Sequence, residues 1–179
     1  GTYIIIATDT ATGCVDTMSG NATIIVNALP VANAGLDVPI CIGDAIDLGA
    51  SGGTQYAWSP ATGLNSTTIA NPTANPTVTT QYTVTVTDDK GCTDVDDVSV
   101  TVNLIPSIGL TDNLINHLAY LGNNVVITAS PTTYNSYTFF ENSVNVQSGP
   151  KYVYETTKLV SPTWIYVIAE ENNCYSPKD

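Results

Sequence analysis

Three pairs of adjacent carboxylates are the first residues in this chain that could do chemistry: Asp88 with Asp89, Asp96 with Asp97, and Glu170 with Glu171. A general acid and a general base must both reach the same substrate. Neighbouring residues of a strand point to opposite faces of a sheet, so none of these pairs makes a catalytic dyad. We interpret them as solvated charge at turns.

His117 is the only histidine, and it would need a nucleophile and an orienting acid to act as a catalytic base. Ser107 and Asp112 lie near it in sequence, but no G-x-S-x-G or similar motif surrounds them. We interpret His117 as a surface side chain and predict that the chain is not an enzyme.

A calcium site is a sharper hypothesis than catalysis. Four aspartates could gather near one end of a domain: Asp37, Asp88, Asp89 and Asp94. Ca²⁺ takes six to eight oxygen ligands, carboxylates and backbone carbonyls among them, and would stiffen a joint between domains. The spacing is not that of an EF-hand, and the alternative is acidic charge that keeps the surface soluble. We predict no required cofactor.

The chain has four cysteines, and none forms a C-x-x-C pair: Cys14, Cys41, Cys92 and Cys174. His117 has no cysteine near it in sequence, so we do not expect a zinc site. A disulfide suits one pair better and would imply an oxidising compartment.

Short glycan-acceptor patterns also occur. Asn21 and Asn65 each begin an N-x-[ST] triplet, and Thr10 and Thr17 each fit an Asp-Thr-apolar pattern for O-glycosylation. Such patterns recur by chance in a threonine-rich sequence, so chance is the alternative to modification.

Aromatic side chains could bind a sugar if they formed a flat exposed row. The candidates cluster in the last third of the chain: Tyr134, Tyr137, Phe139, Phe140, Tyr152 and Tyr154. Phe139 and Phe140 fall on opposite faces of a predicted strand, so one of them belongs to a core. Core packing is the expectation for the group.

Charge excludes several partners. The chain has 16 acidic and 4 basic residues, a net charge of −12, and all four basic residues are lysines. Nucleic acid and anionic membrane surfaces are poor partners because both need a basic face. No run of about 18 apolar residues occurs, so we predict no membrane insertion.

The element that would position these residues is a β-hairpin over residues 81–103. Apolar and polar residues alternate with period 2 on both sides of a turn that contains Gly91 and Cys92. Residues 2–27 repeat this order, and residues 164–174 repeat its first half. Because the three Gly-Cys or Asn-Cys positions are 78 and 82 residues apart, the chain is predicted to be an array of similar β domains.

Several segments resemble the PKD-type immunoglobulin-like repeats of very large secreted proteins: VANAGLD, ICIGD, LGASGGTQYAWSPATGL, ANPTANPTVTTQYTVTVTD and KGC. Such repeats are common in surface adhesins and gliding-motility proteins of Bacteroidota, and beside enzyme modules of secreted hydrolases. The resemblance covers residues 30–103 closely, 1–28 as the end of a repeat, and 104–179 more loosely. It implies all-β, tandem immunoglobulin-like (PKD-type) β-sandwich domains.

The resemblance also implies a disulfide between Cys41 and Cys92, because such repeats pair a cysteine after the first strand with the Gly-Cys of the last hairpin. Residues 1–28 would be the C-terminal hairpin of a preceding repeat, and residues 29–103 a complete domain with Trp58 as its core anchor. Residues 104–179 would be a divergent domain that lacks its last strand, with Cys174 unpaired within the chain.

The leading functional expectation is a non-catalytic extracellular segment that acts as a spacer or shaft of a bacterial surface adhesin or filament. One alternative is an accessory carbohydrate-binding or spacer module of a secreted polysaccharide-degrading enzyme. Another is a surface fibre completed by strand addition between chains. The expected partners are neighbouring repeats of the same protein, other copies of the chain, and surface glycans. Because residue 1 falls in the last third of a repeat, we expect any export signal to lie outside this sequence.

Overall fold

The structure is a computed structural model, and it describes residues 6–8, 10–13, 15–17, 27–114, 123–159 and 163–177. Every regular element in these ranges is a β-strand, which confirms the all-β prediction. They contain no helix long and apolar enough to cross a membrane. The first hairpin pairs β1 (Ile6–Thr8) with β2 (Val15–Thr17) in antiparallel register.

Six strands between residues 38 and 103 form what we call the middle sandwich: β3 (Val38–Cys41), β4 (Ile46–Asp47), β5 (Gln55–Ser59), β6 (Thr73–Ala74), β7 (Thr80–Thr87) and β8 (Thr93–Asn103). One sheet has the order β3-β8-β7-β5, and β4 pairs with β6 in the other. All pairs are antiparallel except β3 with β8, which is parallel. This parallel pair decides where Cys41 lies.

The predicted alternation of the 81–103 hairpin is confirmed in β7 and β8. Tyr82, Val84 and Val86 are fully buried on one face of β7, while Thr83 and Gln81 are exposed on the other. Trp58 on β5 is 4% exposed, and its indole N–H donates to the Ile69 carbonyl at 3.0 Å. The core anchor predicted from the sequence is therefore buried and hydrogen-bonded.

Seven strands after residue 108 form what we call the C-terminal sandwich: β9 (Gly109–Asp112), β10 (Val125–Ser130), β11 (Ser136–Glu141), β12 (Val144–Gly149), β13 (Val153–Thr156), β14 (Ile165–Glu171) and β15 (Cys174–Tyr175). The sheet β13-β10-β9 packs on the sheet β12-β11-β14-β15. Tyr137, Phe139 and Val167 fill the space between them and are fully buried.

Both sandwiches are immunoglobulin-like. Each has two sheets whose inner faces share one apolar core, and in each the last hairpin belongs to the larger sheet. The second strand of the last hairpin was expected only after residue 179. In the structure this strand is β15, which begins at Cys174 and pairs Cys174 with Glu171 and Tyr175 with Glu170.

The predicted Cys41–Cys92 disulfide is wrong, and the parallel pair explains why. Cys41 lies opposite Asn103 at the end of β8, whereas Cys92 precedes the start of that strand. At about 3.3 Å per residue, the length of β8 separates them by about 35 Å. A disulfide requires Cα atoms within about 7 Å. Cys92 is a free thiol, and Cys41 is bonded to Cys174, which the sequence prediction left unpaired.

Candidate functional site

The site with the most distinctive chemistry is the covalent bridge between the two sandwiches. The Cys41 and Cys174 sulfurs are 2.03 Å apart, and their Cα atoms are 5.6 Å apart, although 133 positions separate them in sequence. Cys174 is fully buried and Cys41 is half-buried. The bridge therefore joins two sandwiches that each have a core of their own.

Local structure positions Cys41 at the end of the middle sandwich. The parallel register of β3 and β8 continues one residue further, where the Ile42 N–H donates to the Asn103 carbonyl at 2.8 Å. The chain then turns, with the Asp44 N–H donating to the Cys41 carbonyl at 2.9 Å. Cys41 therefore lies at the same end of the sandwich as the point where β8 leaves it.

A two-residue turn positions Cys174. Asn172 and Asn173 have φ of 51° and 62°, the left-handed conformation that a tight type I′ hairpin requires and asparagine tolerates. The Asn173 N–H donates to a Glu170 carboxylate oxygen at 3.0 Å. Cys174 is the next residue and the first of β15, and the Cys41 sulfur lies 3.8 Å from the Asn173 carbonyl oxygen.

The polypeptide link between the sandwiches is also fixed at this junction. Pro106 is buried, and the Tyr134 hydroxyl contacts Ser107 twice, accepting from its N–H at 3.2 Å and donating to its carbonyl at 3.0 Å. The neighbouring Asn135 N–H donates to Glu171 at 2.9 Å. The loop before β11 and the turn after β14 therefore lie where the link arrives.

A crevice of about 370 Å³ lies beside the bridge, between the two sandwiches. Its lining comes from both sides of the junction: Pro39, Ile40, Asp44, Asn103, Asn172 and Asn173. Among the described residues that line it, Asp44 supplies a carboxylate and none is basic. The crevice shows that the junction is bonded covalently but not tightly packed.

The four calcium candidates do not form one site. The part of the chain that the structure describes has no group of three or more His, Cys, Asp or Glu residues that could hold a metal ion. Asp88 accepts from the backbone N–H groups of Lys90 and Cys92 inside its own turn, and Asp89 lies 3.7 Å from Lys90. Calcium binding by the chain stays a prediction.

The other two candidates, Asp37 and Asp94, have a structural task that sequence analysis missed. The Asp94 carboxylate accepts from the Ala32 N–H, and the Asp96 carboxylate accepts from the Ala34 N–H, both at 2.8 Å. Asp37 accepts from the Ser99 N–H at 2.8 Å. These contacts hold residues 32–37 beside β8, in the stretch that precedes the backbone pairing of β3 with β8. The alternation of Asp94 and Asp96 along one strand face was the signal that could have revealed this role.

The members of the pairs Asp96/Asp97 and Glu170/Glu171 have different partners, as expected for neighbours on a strand, but they lie in β8 and β14 and not in turns as predicted. Asp96 contacts the segment before β3, whereas Asp97 accepts from the Gln81 side chain on β7. Glu170 accepts from the Asn173 N–H in the turn after β14, whereas Glu171 accepts from the Asn135 N–H in the loop before β11. His117 lies outside the described residues.

The glycan-acceptor candidates are only partly described. Asn65 is exposed and its side-chain carbonyl accepts from the Thr73 N–H at 2.9 Å, and Thr10 is exposed. Thr17 lies in β2, and Asn21 lies outside the described residues. Glycosylation at all four positions stays a prediction.

The six aromatic candidates do not form one exposed row. Tyr137 and Phe139 are fully buried, which agrees with the expectation of core packing. On the outer face, Phe140 stacks on Tyr166 with ring centroids 4.7 Å apart and planes 10° apart, so these rings cover each other. Tyr154 donates to Glu141, and burial together with this bond raises the pKa of its hydroxyl.

No protein-family model and no curated protein matches the chain. Solved structures resemble it at low identity. The fibronectin(III)-like modules of Clostridium thermocellum CbhA give a TM-score of 0.45 at 16% identity, over 83% of this chain and 90% of that one. Titin domains I67–I69 give 0.46 at 13% identity, over 86% and 64%. Murine CEACAM1b gives 0.40 at 11% identity, over 77% and 90%.

Proposed function

We propose that this chain is a non-catalytic, extracellular spacer segment that holds its two ends at a fixed separation. The observation that carries the proposal is the Cys41–Cys174 bridge, which joins two separately cored sandwiches at the junction where the polypeptide also links them. Two connections at one junction restrict bending far more than a single flexible link does. A chain built to hold spacing gains from this restriction.

The disulfide also supports an extracellular location. Disulfides persist in oxidising environments and are rare where thiols are kept reduced. A net charge of −12 with few lysines suits a surface exposed to solvent. The finer proposal, a PKD-type shaft of a surface adhesin or gliding-associated filament in Bacteroidota, rests on the residue patterns of 30–103.

The aromatic geometry favours the spacer over a sugar-binding module. Pyranose rings stack on exposed aromatic faces, but the Phe140 and Tyr166 rings stack on each other and Tyr137 and Phe139 are buried. Trp164, by contrast, is 77% exposed. The experiments that test the spacer must also be able to detect the two alternatives, which are carbohydrate binding and self-assembly by strand addition.

The test measures the distance between the sandwiches in solution. Nitroxide labels would be attached through a ketone-bearing unnatural side chain, so that no cysteine is disturbed, in place of Leu36 and Val144. These side chains are 91% and 64% exposed. We expect one narrow distance distribution for the oxidised chain, and a broader one for Cys174→Ser, with Cys92→Ser as the matched control that keeps the bridge.

Light scattering on a dilution series of the same samples completes the test. A single-copy mass at all concentrations is expected. A distance distribution in the oxidised chain as broad as in Cys174→Ser would reject the spacer. Oligomers that grow with concentration would instead favour the self-assembling fibre, and retention on immobilised polysaccharide would favour the carbohydrate-binding module.

A further inference from the structure

We propose that the Cys41–Cys174 bridge makes both sandwiches inextensible under tension. The inference rests on the proposed spacer function, since a spacer between two attachments is pulled along its length. The bridge gives tension a path through covalent bonds that is different from the path of the polypeptide backbone.

The bridge shortens that route. A pull applied before Cys41 and after Cys174 passes from one Cα to the other across 5.6 Å, instead of along the 133 positions between them. Residues 42–173 form a covalent loop attached to this route at its two ends. Tension does not reach a loop whose ends are bonded together.

Almost all of both cores lies inside the protected loop. It contains every strand from β4 to β14. Of the buried core side chains, Ala34 and Ile40 precede the loop, and only Cys174 itself belongs to its far end. Even if thermal fluctuations unfolded these strands, the distance between the pulled ends would stay the same.

The segment just before Cys41 can lengthen only a little under tension. Asp94 and Asp96 hold Ala32 and Ala34 along β8, and β3 then pairs with β8 from Val38 to Cys41. This segment is therefore already extended along the sandwich. The loaded path through the middle sandwich therefore runs beside β8 and ends in β3 at the bridge.

Reduction should release the whole loop. An unfolded chain reaches up to about 3.3–3.6 Å per residue, so opening the loop would add about 450 Å of contour length. The oxidised chain cannot gain this length at any force below that which breaks a covalent bond. The predicted difference is therefore large enough for single-molecule force measurement.

The experiment pulls the full chain by its two termini in magnetic tweezers. The background is Cys14→Ser/Cys92→Ser, which leaves Cys41 and Cys174 as the only cysteines and prevents exchange. We expect no lengthening attributable to residues 42–173 under oxidising conditions, and steps that sum to about 450 Å after a dithiol reductant is added. Residues before Cys41 extend equally with and without reductant, so their extension cancels when the two lengths are subtracted.

Two variants check the assignment. Cys41→Ser and Cys174→Ser should each give the long extension without reductant; Cys41 is half-buried, so its variant keeps the test usable if Cys174→Ser folds poorly. Lengthening by about 450 Å in the oxidised background would overturn the proposal. If the chain resists lengthening but shows a broad distribution of label distances, the inextensible bridge is supported and the stiff spacer is rejected. If the chain lengthens but shows a narrow distribution, only the spacer is supported.

Discussion

At the scale of single residues, Tyr82 links burial to alkaline stability. It is fully buried, its hydroxyl donates to the Thr62 carbonyl at 2.7 Å, and burial raises its pKa above the ordinary value of 10.0. Because the folded pKa lies above the unfolded one, this contribution to stability is complete below pH 10.0 and is lost as pH rises through the folded pKa.

We therefore expect Tyr82 to cause no pH dependence of the free energy of unfolding below pH 10.0, and to make that free energy fall as the pH rises above this value. Denaturant titrations at a series of alkaline pH values would measure this fall, and tyrosinate absorbance would report the ionisation. Tyr82→Phe should be less stable by about 1 kcal/mol at neutral pH but should lose less on alkalinisation. Tyr152→Phe, at a 39% exposed position, is the control. An equal alkaline slope in Tyr82→Phe and in the unsubstituted chain would contradict the prediction.

Gly52 is a second residue whose type is fixed by its surroundings. Its φ is +110°, and a Cβ there would lie 1.9 Å from the Val31 carbonyl oxygen. An alanine would be strained at this φ, and its Cβ would clash with backbone atoms that cannot move aside. Gly52→Ala should therefore lower the free energy of unfolding by more than about 1 kcal/mol.

Gly49→Ala is the matched control for Gly52→Ala, since its Cβ would meet only the Asn71 side chain at 3.9 Å. We expect it to stay within about 0.5 kcal/mol of the unsubstituted chain. Urea unfolding monitored by tryptophan fluorescence suits both variants, because Trp58 is buried in the same sandwich. Similar losses in the two variants would show that the Val31 contact is not the cause.

At the scale of elements, β8 carries a second function beside backbone pairing. Its Asp94 and Asp96 side chains accept from Ala32 and Ala34, in line with the backbone pairs that β3 makes further along. These carboxylates extend the edge of the sheet to a segment that has no strand geometry of its own. The acidic residues of this hairpin are therefore more than solubility charge.

Asp94→Ala and Asp96→Ala should each free one end of this segment. We expect amide hydrogen exchange to accelerate at Ala32 in the first variant and at Ala34 in the second, by about tenfold for a lost bond of about 1.4 kcal/mol. Asp89→Ala, at a side chain 73% exposed, should change neither amide. Equal acceleration in all three variants would mean that general charge, rather than these two bonds, holds the segment.

Local patterns predicted most elements because their causes are local. The alternation in 81–103 became β7 and β8, Trp58 became a core anchor, and the proline-rich stretch 60–76 contains only the short β6. The bridge could not be predicted this way. It depends on β3 running parallel to β8, and on the next sandwich presenting the turn after β14 at the same junction.

At the scale of the whole molecule, the cysteine pairing is the feature to verify chemically. Digestion without reductant, after alkylation of free thiols, should yield a peptide pair that joins Cys41 to Cys174 and an alkylated Cys92. Mass spectrometry identifies both directly. A Cys41–Cys92 pair would contradict the structure, because the two residues lie at opposite ends of β8.

In the chain-entropy treatment, closing a loop of this length contributes about 5 kcal/mol. The middle sandwich can unfold while the C-terminal sandwich stays folded, and the bridge then already closes residues 42–103 into a loop. Closing a loop of that length contributes about 4 kcal/mol, so most of the contribution acts on whichever sandwich unfolds first. Reduction should accordingly lower the earlier of two thermal transitions more than the later one. A calorimetric scan with and without reductant would measure both.

The closed loop also changes what proteolysis can do to the molecule. Exposed turns and irregular stretches, such as residues 60–76 and the Asn142–Ser143 turn, are where proteases cut first. A single cut anywhere between residues 42 and 173 opens the loop, but both products remain bonded through Cys41 and Cys174. On an electrophoresis gel such a nicked molecule runs as one species until reductant splits it into two. A protein on an outer surface would thus stay attached, end to end, after damage that would sever an unbridged chain.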